Sequence, residues 1–578
     1  MYRSHTFPGV TRTRLLLTAA LLASSCVGLT AHASPQHALA DGPLGAADDV
    51  AWMQQLEADM ADNLQQGKAV AVDFPSAAQT PGTASSTGGW GDSGLWTGVY
   101  LGGESLRYAT AKAHLASLPG LGGGSPDNNG VAAEREFWTA QRDDALSHVR
   151  TILAGEHRDI VIAQDWTGTL KVPPSVSTNP CVQSTGLPGC DAHAADFGGG
   201  VIPGEKGMIM RACTPKGLGP MGVGAPSQYA DRAIDDNDNR VFEITWKHGD
   251  GRTYYCETSP SRDTYAGLTF GLLTAYDMVG TDLGATRTQI RDDLQAMGDF
   301  LIKYGWCYPR PHGYVSAKHD FDGFISPLFV QVPMARLNLT NAVRHVLADG
   351  SDAVAKAKWD AIWTEELATQ GPILAGSMEV DSLQPNDGYY KFNLHHLTAF
   401  NLLRTLTGPE RTLVAQAVSV MDKTTRDDLN AHFQAILFSQ TGDADRLHDA
   451  VSWLRDWKLY RESTSDGRYV DNTPRCGHDL QCVANDDQYE LGTPVGAVTW
   501  FPGSSGNPRA ARPMPVSQRP PSDFIWQRAP TQLAGGQPAT HREPGIDYLT
   551  PYWMLRYYTE VEHPSQGPLP TWVGPPSY

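Results

Sequence analysis

Residues 91–113, GDSGLWTGVYLGGESLRYATAKA, constrain the fold more than any other stretch. No proline interrupts them, and Asp92 and Ser93 suit an N-cap, so a helix is expected from about Ser93. Steps of four place Asp92, Trp96, Tyr100 and Glu104 on one side, with Leu95, Val99, Leu106 and Ala109 on a packing flank. Gly98, Gly102 and Gly103 each disfavour such a helix by about 1 kcal/mol relative to alanine. They are tolerable if another backbone, or a ligand, approaches closely there.

The pattern recurs. Residues 261–280 carry an acid at their head, Asp263, followed by Tyr265, Gly267 and Gly271, matching Trp96, Gly98 and Gly102. Residues 386–404 open with Asp387 and the pair Tyr389 and Tyr390, then carry His395 and His396. Residues 545–558 open with Asp547, and Thr550 and Pro551 suit N-cap and N1. A single acid at a helix start is ordinary, because the macrodipole favours it. Four such starts with aromatic neighbours point to a shared architecture.

The rest of the chain bounds what that architecture serves. Its 45 Lys+Arg against 63 Asp+Glu give a net charge of −18, which argues against a nucleic-acid partner. Fifteen tryptophans and 41% hydrophobic residues supply a sizeable core across 578 residues. Residues 1–33 read as a signal peptide: Arg3, Arg12 and Arg14 precede the apolar run 15–23, and Ala31-His32-Ala33 is a cleavage site. A secreted or periplasmic protein is expected, with ordinary cleavage after Ala33 favoured over a lipoprotein anchored at Cys26. No later apolar run is long enough for a membrane span. Seven cysteines follow Cys26: 181–190 and 476–482 close short loops, 213–256 would tie two β-like segments, and Cys307 is left over.

In chain order, residues 48–65 are amphipathic at helical spacing, and a third helix is expected over 131–153. Residues 155–260 change character and read as an insertion into a helical protein. Residues 160–163 and 241–246 are β-like, and 241–246 and 252–256 flank an Asp-Gly turn as a hairpin would. The acidic run 235–239 lacks the Gly and distal Glu of an EF-hand loop and reads as a polar turn. Helices resume at about 262–280, 285–304, 326–348, 351–369, 392–406, 409–424, 427–440 and 443–457, and end with one near 550–562. Residues 458–546 form a long Pro-, Arg- and Trp-rich segment expected to cover the helical body as a wall or lid, held by Trp500, Phe501, Phe524 and Trp526. The expected organisation is therefore 1–33 signal peptide, 34–154 first helices, 155–260 insertion, 261–457 main helical part, 458–546 covering segment and 547–578 terminal helix and tail.

About twelve paired helices with acids and aromatics at their starts resemble the six-hairpin glycosidase-like group. The phrases that carry the likeness are GDSGLWTGVYL, SRDTYAGLTFG, YKFNLHHLTAFNLL and PGIDYLTPYWMLRYY. The resemblance implies an all-α fold, an (α/α)6 toroid whose inner-helix starts line one cleft, and a glycan-active enzyme working by inversion. Inversion needs two carboxyls about 6.5–9.5 Å apart, one acting as acid and one as base. The catalytic candidates are Asp92, Asp263, Asp387 and Asp547, with Asp322 as a fifth and Asp92 with Asp263 as the favoured pair. Trp96, Tyr265, Tyr389 and Trp526 are candidate sugar-stacking faces, each with core packing as the bland alternative.

Other readings of the same chain are open. A lyase on a uronic-acid polymer would use a Tyr or His base among Tyr389, Tyr390, His395 and His396, with Arg404, Asn393 or Arg528 neutralising the uronate. Adjacent helical histidines face different ways, so at most one is expected to be catalytic, and the acidic balance favours hydrolysis of a neutral glycan. A non-catalytic glycan-binding or envelope protein is the third class. Trp306-Cys307 and Cys476-Gly477-His478 only faintly resemble a zinc site, which export opposes, so neither metal nor cofactor is expected.

Overall fold

The computed structural model describes residues 47–119, 128–166, 204–216, 241–257, 260–303, 306, 332–382, 389–465, 513–519, 523–531 and 538–564. Among these the protein is mostly helical, with twelve α-helices and short strands. The helices are α1 (Ala47–Asn63), α2 (Ser93–Ser117), α3 (Asn128–Val161), α4 (Arg262–Met278), α5 (Ala285–Lys303) and α6 (Val332–Ala348). They continue with α7 (Ala353–Ser382), α8 (Tyr390–Thr405), α9 (Gly408–Thr425), α10 (Ala431–Thr441), α11 (Ala444–Ser465) and α12 (Ile546–Tyr557).

The even-numbered helices form the interior. In α4, α8, α10 and α12 most residues are buried, and α2 is buried from Ser93 to Ala111 apart from Ala109, which their apolar circumference allows. Each even helix packs on the next, α2 on α4, then α6, α8, α10 and α12, and α12 returns to α2. The odd helices pack outside them, α3 on α2, α7 on α6, α9 on α8 and α11 on α10.

Neighbouring even helices run the same way. Along α2 and α4, Gly94 meets Thr264 and Gly98 meets Gly267. Along α6 and α8, Asn338 pairs with Asn401 and Asn341 with Thr405. Along α12 and α2, Thr550 meets Gly103, and farther on Glu560 meets His114. Tyr389 and His396 of the α8 amino half both stack against Phe433 near the start of α10. The amino ends of these helices therefore share one side of the molecule.

The glycines explain the closest crossing. A Cβ on Gly98 would lie 2.0 Å from the Gly267 carbonyl oxygen, one on Gly267 2.5 Å from Leu95 O, and one on Gly271 2.4 Å from Gly98 O. Of the two approaches the repeated glycines left open, by a backbone or by a ligand, the one present is a helix–helix backbone contact. Phe270 fills the space over Gly102, and Thr550 that over Gly103.

Two small antiparallel sheets flank the helices. One has the order β4 (Ser86–Gly88), β3 (Ala71–Asp73), β8 (His541–Arg542), and the other β5 (Ala212–Pro215), β7 (Thr253–Glu257), β6 (Val241–Thr245). A two-residue ladder joins β1 (Leu64–Gln65) to β2 (Lys68–Ala69). The hairpin expected around the Asp-Gly turn is present as β6–β7. Cys213 and Cys256 face each other across β5 and β7 and form a disulfide, as their placement in two β-like segments had implied.

Three expectations need correction. Residues 160–163 are not a strand: α3 runs to Val161, and a 3-10 turn covers Ile162–Asp165. The apolar run there serves burial against neighbours, which a helix supplies as well as a sheet. Helix α7 reaches Ser382, well beyond 369, with Pro372 inside it. Thr550 and Pro551 do not start the last helix, because α12 begins at Ile546 and contains Pro551. Residues 1–33, Cys26, Cys181, Cys190, Cys307, Cys476, His478, Cys482, Trp500, Phe501 and the run 235–239 lie outside the described residues.

Candidate active site at the helix amino ends

Asp92 occupies the N-cap position of α2, yet its side chain makes no capping bond. It pairs instead with Arg211, whose Nη2 lies 3.3 Å from Asp92 Oδ1. Arg211 also donates to the Gly91 carbonyl, and Glu257 stands against the same glycine. Ser261 caps α4 through a reciprocal box with Thr264, which leaves Asp263 in the first turn without a capping task. Burial raises the Asp263 pKa and the nearby Asp92 charge raises it further, against the pull of Arg211 and Arg262. The two acids therefore sense one another across the α2–α4 crossing.

A third acid joins them from the covering segment. Asp523 pairs doubly with Arg528, Nε to Oδ1 at 2.5 Å and Nη2 to Oδ2. Burial pushes Asp523 up to about 6 despite Arg528, with Glu543 and Asp92 adding to the rise. Burial opposes the Arg528 charge, but Asp523, Asp92 and Glu543 hold its pKa above the ordinary value. Asp92, Asp263, Asp523 and Glu543 thus share one field with Arg211 and Arg528. Beside them, burial opposes the charge on His541, but bonds to Asp73 at 2.7 Å and Glu543 at 3.0 Å lift it to about 9.

The segment carrying Asp523 is fixed by a proline. Pro551 has no N–H to offer the carbonyl four residues earlier, that of Asp547. That carbonyl accepts from Trp526 Nε1 at 2.6 Å, and the Asp547 carboxylate accepts from Ile525 N at 3.1 Å. Asp547 is buried, and both its main chain and its side chain anchor the 523–531 wall.

The remaining sequence candidates divide clearly. Asp387 and Asp322 lie outside the described residues. Trp96, Tyr265, Tyr389, His395, His396 and Trp526 are all buried, so none offers an open ring face to a sugar. Tyr389 donates to Asp428 at 2.8 Å. The two adjacent histidines are both inside, because α8 is buried continuously from Lys391 to Leu403. Arg528 reaches solvent with its side chain 40% exposed, and with the partly exposed Asp92 it marks the solvent-facing side of this acid cluster, the mouth of the candidate site. Sequence reasoning missed Arg211, Asp523 and Glu543. The signal for Asp523 was its place in Asp-Phe-Ile-Trp-Gln-Arg, within a segment read only as a wall.

Beneath the mouth, one ring beyond Phe524, lies a group of buried polar atoms without partners. Both amide atoms of Asn393, Nε2 of His396 and both ring nitrogens of His432 make no hydrogen bond. Each buried, unsatisfied group costs about 1–3 kcal/mol. Phe524 meets His432 edge-on at 5.5 Å, and Phe433 stacks on His396 at 3.9 Å.

On the outer side of α2, Glu57, Glu104 and His148 bring possible metal-ligand atoms within 4.8 Å of one another. Arg107 already stands among them, 3.2 Å from Glu57 and 3.1 Å from Glu104. Burial lifts Glu57, whereas Arg107 and His148 hold Glu104 low against burial. The guanidinium supplies the cation this cluster needs, so it reads as an internal ion-pair network. Comparison of the chain with protein-family models, with curated proteins and with solved structures returned no match.

Proposed function

We propose that the chain is a secreted glycan hydrolase built as an (α/α)6 toroid, acting by inversion with Asp263 as general acid and Asp92 as general base. The closed succession of like-directed even helices, each backed by an odd one, supports the toroid reading. The single observation that carries the chemistry is the placement of Asp92 and Asp263 at neighbouring helix starts, where Gly94 meets Thr264, with burial and then the Asp92 charge raising the Asp263 pKa. A protonated Asp263 can donate to the glycosidic oxygen as the bond breaks. Asp92, paired with Arg211, would accept a proton from the attacking water on the opposite face of the ring. Asp523 and Arg528 form the far wall and orient substrate hydroxyls. The Cys213–Cys256 disulfide suits an exported protein.

Release of reducing ends from a panel of neutral polysaccharides tests this reading. Asp263→Asn and Asp92→Asn should each lower turnover about 10²–10⁴-fold. The Asp92–Arg211 pair is partly exposed, so losing it should destabilise by less than about 1 kcal/mol. Near-normal turnover in both variants would remove them as the catalytic pair.

Two guanidiniums at the mouth, Arg211 and Arg528, favour one second reading, a lyase on a uronic-acid polymer. Its product carries a conjugated double bond, so ultraviolet absorbance rising with product would mark elimination instead of hydrolysis.

A further inference from the structure

The unpartnered atoms beneath the mouth have a defined hydrogen-bonding inventory. The carbonyl of Phe392 can only accept, and His396 Nδ1 lies 2.7 Å from it, so the imidazole proton sits on Nδ1. Nε2 of His396 is then a bare acceptor. His432 brings one N–H and one lone pair, and Asn393 brings two N–H donors and one carbonyl. Asn393 lies one turn before His396 on the same face of α8. His432, at the start of α10, lies with its ring 6.3 Å from Phe433, the ring stacked on His396.

The set is uncharged. Burial pushes both imidazoles down to about 3, so neither offers a cation to an anionic ligand. No carboxylate completes a metal shell around them among the described residues. The set offers both donors and acceptors, which is what a hydroxyl requires because it does both. Aromatic walls hold the two imidazoles, Phe433 flat on His396 and Phe524 edge-on to His432. Phe524 directly follows Asp523, so the floor adjoins the acids of the mouth.

We propose that Asn393, His396 and His432 form a buried subsite for one neutral, polyhydroxylated ring, a sugar unit of the glycan. The subsite rests on the glycan reading above and supplies what that reading lacked, a hydrogen-bonding floor. Phe524 closes it from the mouth, so a ring enters only when this side chain swings aside.

The test is calorimetric titration of the full chain with glucose, galactose, mannose and xylose, and separately with glucuronate and zinc chloride. At least one neutral sugar should bind, with affinity falling 10-fold or more in His432→Phe and in Asn393→Leu. Neither variant should melt lower than the parent, because each exchanges unsatisfied polar atoms for apolar ones. If one of them fails to fold, Asn393→Ser removes the amide with a smaller change of shape. Binding unaltered in the variants, no binding of any neutral sugar, or tighter binding of zinc or glucuronate than of every neutral sugar would overturn the proposal. Because binding is read without turnover, its failure is separable from that of the hydrolase. Hydrolysis with an unaltered KM in these variants removes the subsite alone, and sugar binding without any hydrolysis removes the hydrolase alone.

Discussion

Asp523 gives the most discriminating perturbation, because its ionised form is disfavoured where it stands. Its pKa rises from 3.8 to about 6, so the folded state binds the proton more tightly than the unfolded chain does. The sign follows directly. Below pH 3.8 the acid is protonated in both states and contributes nothing. As pH climbs through the window up to about 6, the unfolded chain ionises first and stability is lost. Above that window the loss is constant. Two units at roughly 1.4 kcal/mol each set a ceiling of about 3 kcal/mol. Asparagine approximates the neutral acid, so Asp523→Asn should gain about 1–3 kcal/mol at pH 8 and almost nothing at pH 4. Urea denaturation of parent and variant at both pH values measures the difference. A variant less stable than the parent at pH 8 would show that pairing with Arg528 outweighs burial and would refute the reasoning. A gain of equal size at both pH values would refute it too.

Three further outcomes are expected. Gly98→Ala should gain about 1 kcal/mol of helix propensity but push its methyl into Gly267, 2.0 Å from the carbonyl oxygen, so overpacking wins and the melting temperature falls, with about 1–3 kcal/mol lost. Replacing Cys213 and Cys256 by serine opens a loop of 43 residues and should cost about 4 kcal/mol in the loop-entropy account, read as a lower denaturation midpoint under oxidising conditions. His541, raised to about 9, contributes stability that is complete below its ordinary 6.5 and is lost as pH rises through 9. His541→Gln should therefore flatten the stability curve between pH 7 and 10, as thermal melts across that range will show.

Most of the helical layout was legible because its signals are local. The repeated aromatic-x-Gly-x3-Gly marked α2 and α4, and the glycines announced a close approach by another backbone or a ligand, which the fold resolves as backbone. The Asp-Gly turn marked the β6–β7 hairpin for the same reason. What was not legible came from tertiary context. Pro551 reads locally as a helix start, yet it sits inside α12 because Trp526 satisfies the carbonyl that the proline leaves free. Asp92 reads as a cap, but Arg211, distant in sequence, takes its carboxylate. Aromatics beside the acids read locally as either sugar platforms or core, and burial of Trp96, Tyr265, Tyr389 and Trp526 makes them core. Asp523 escaped notice because only the fold carries it to the acids at the other helix starts.

The closure of the even helices has a consequence for how the chain is made. Helix α12 meets α2 through Thr550 and the Val99 carbonyl, 451 residues apart, and Arg542 embraces Asn63 across 479. A chain made amino end first therefore carries α2 with its inner flank uncovered until Thr550, 451 residues after Val99, has been added. Contacts of such sequence separation form slowly, because loop entropy must be met before they give anything back. Partial chains lacking α12 expose an apolar seam along α2 and α10, the kind of surface that holds aggregates together. Successful folding thus depends on keeping that seam apart from other chains until α12 arrives to cover it.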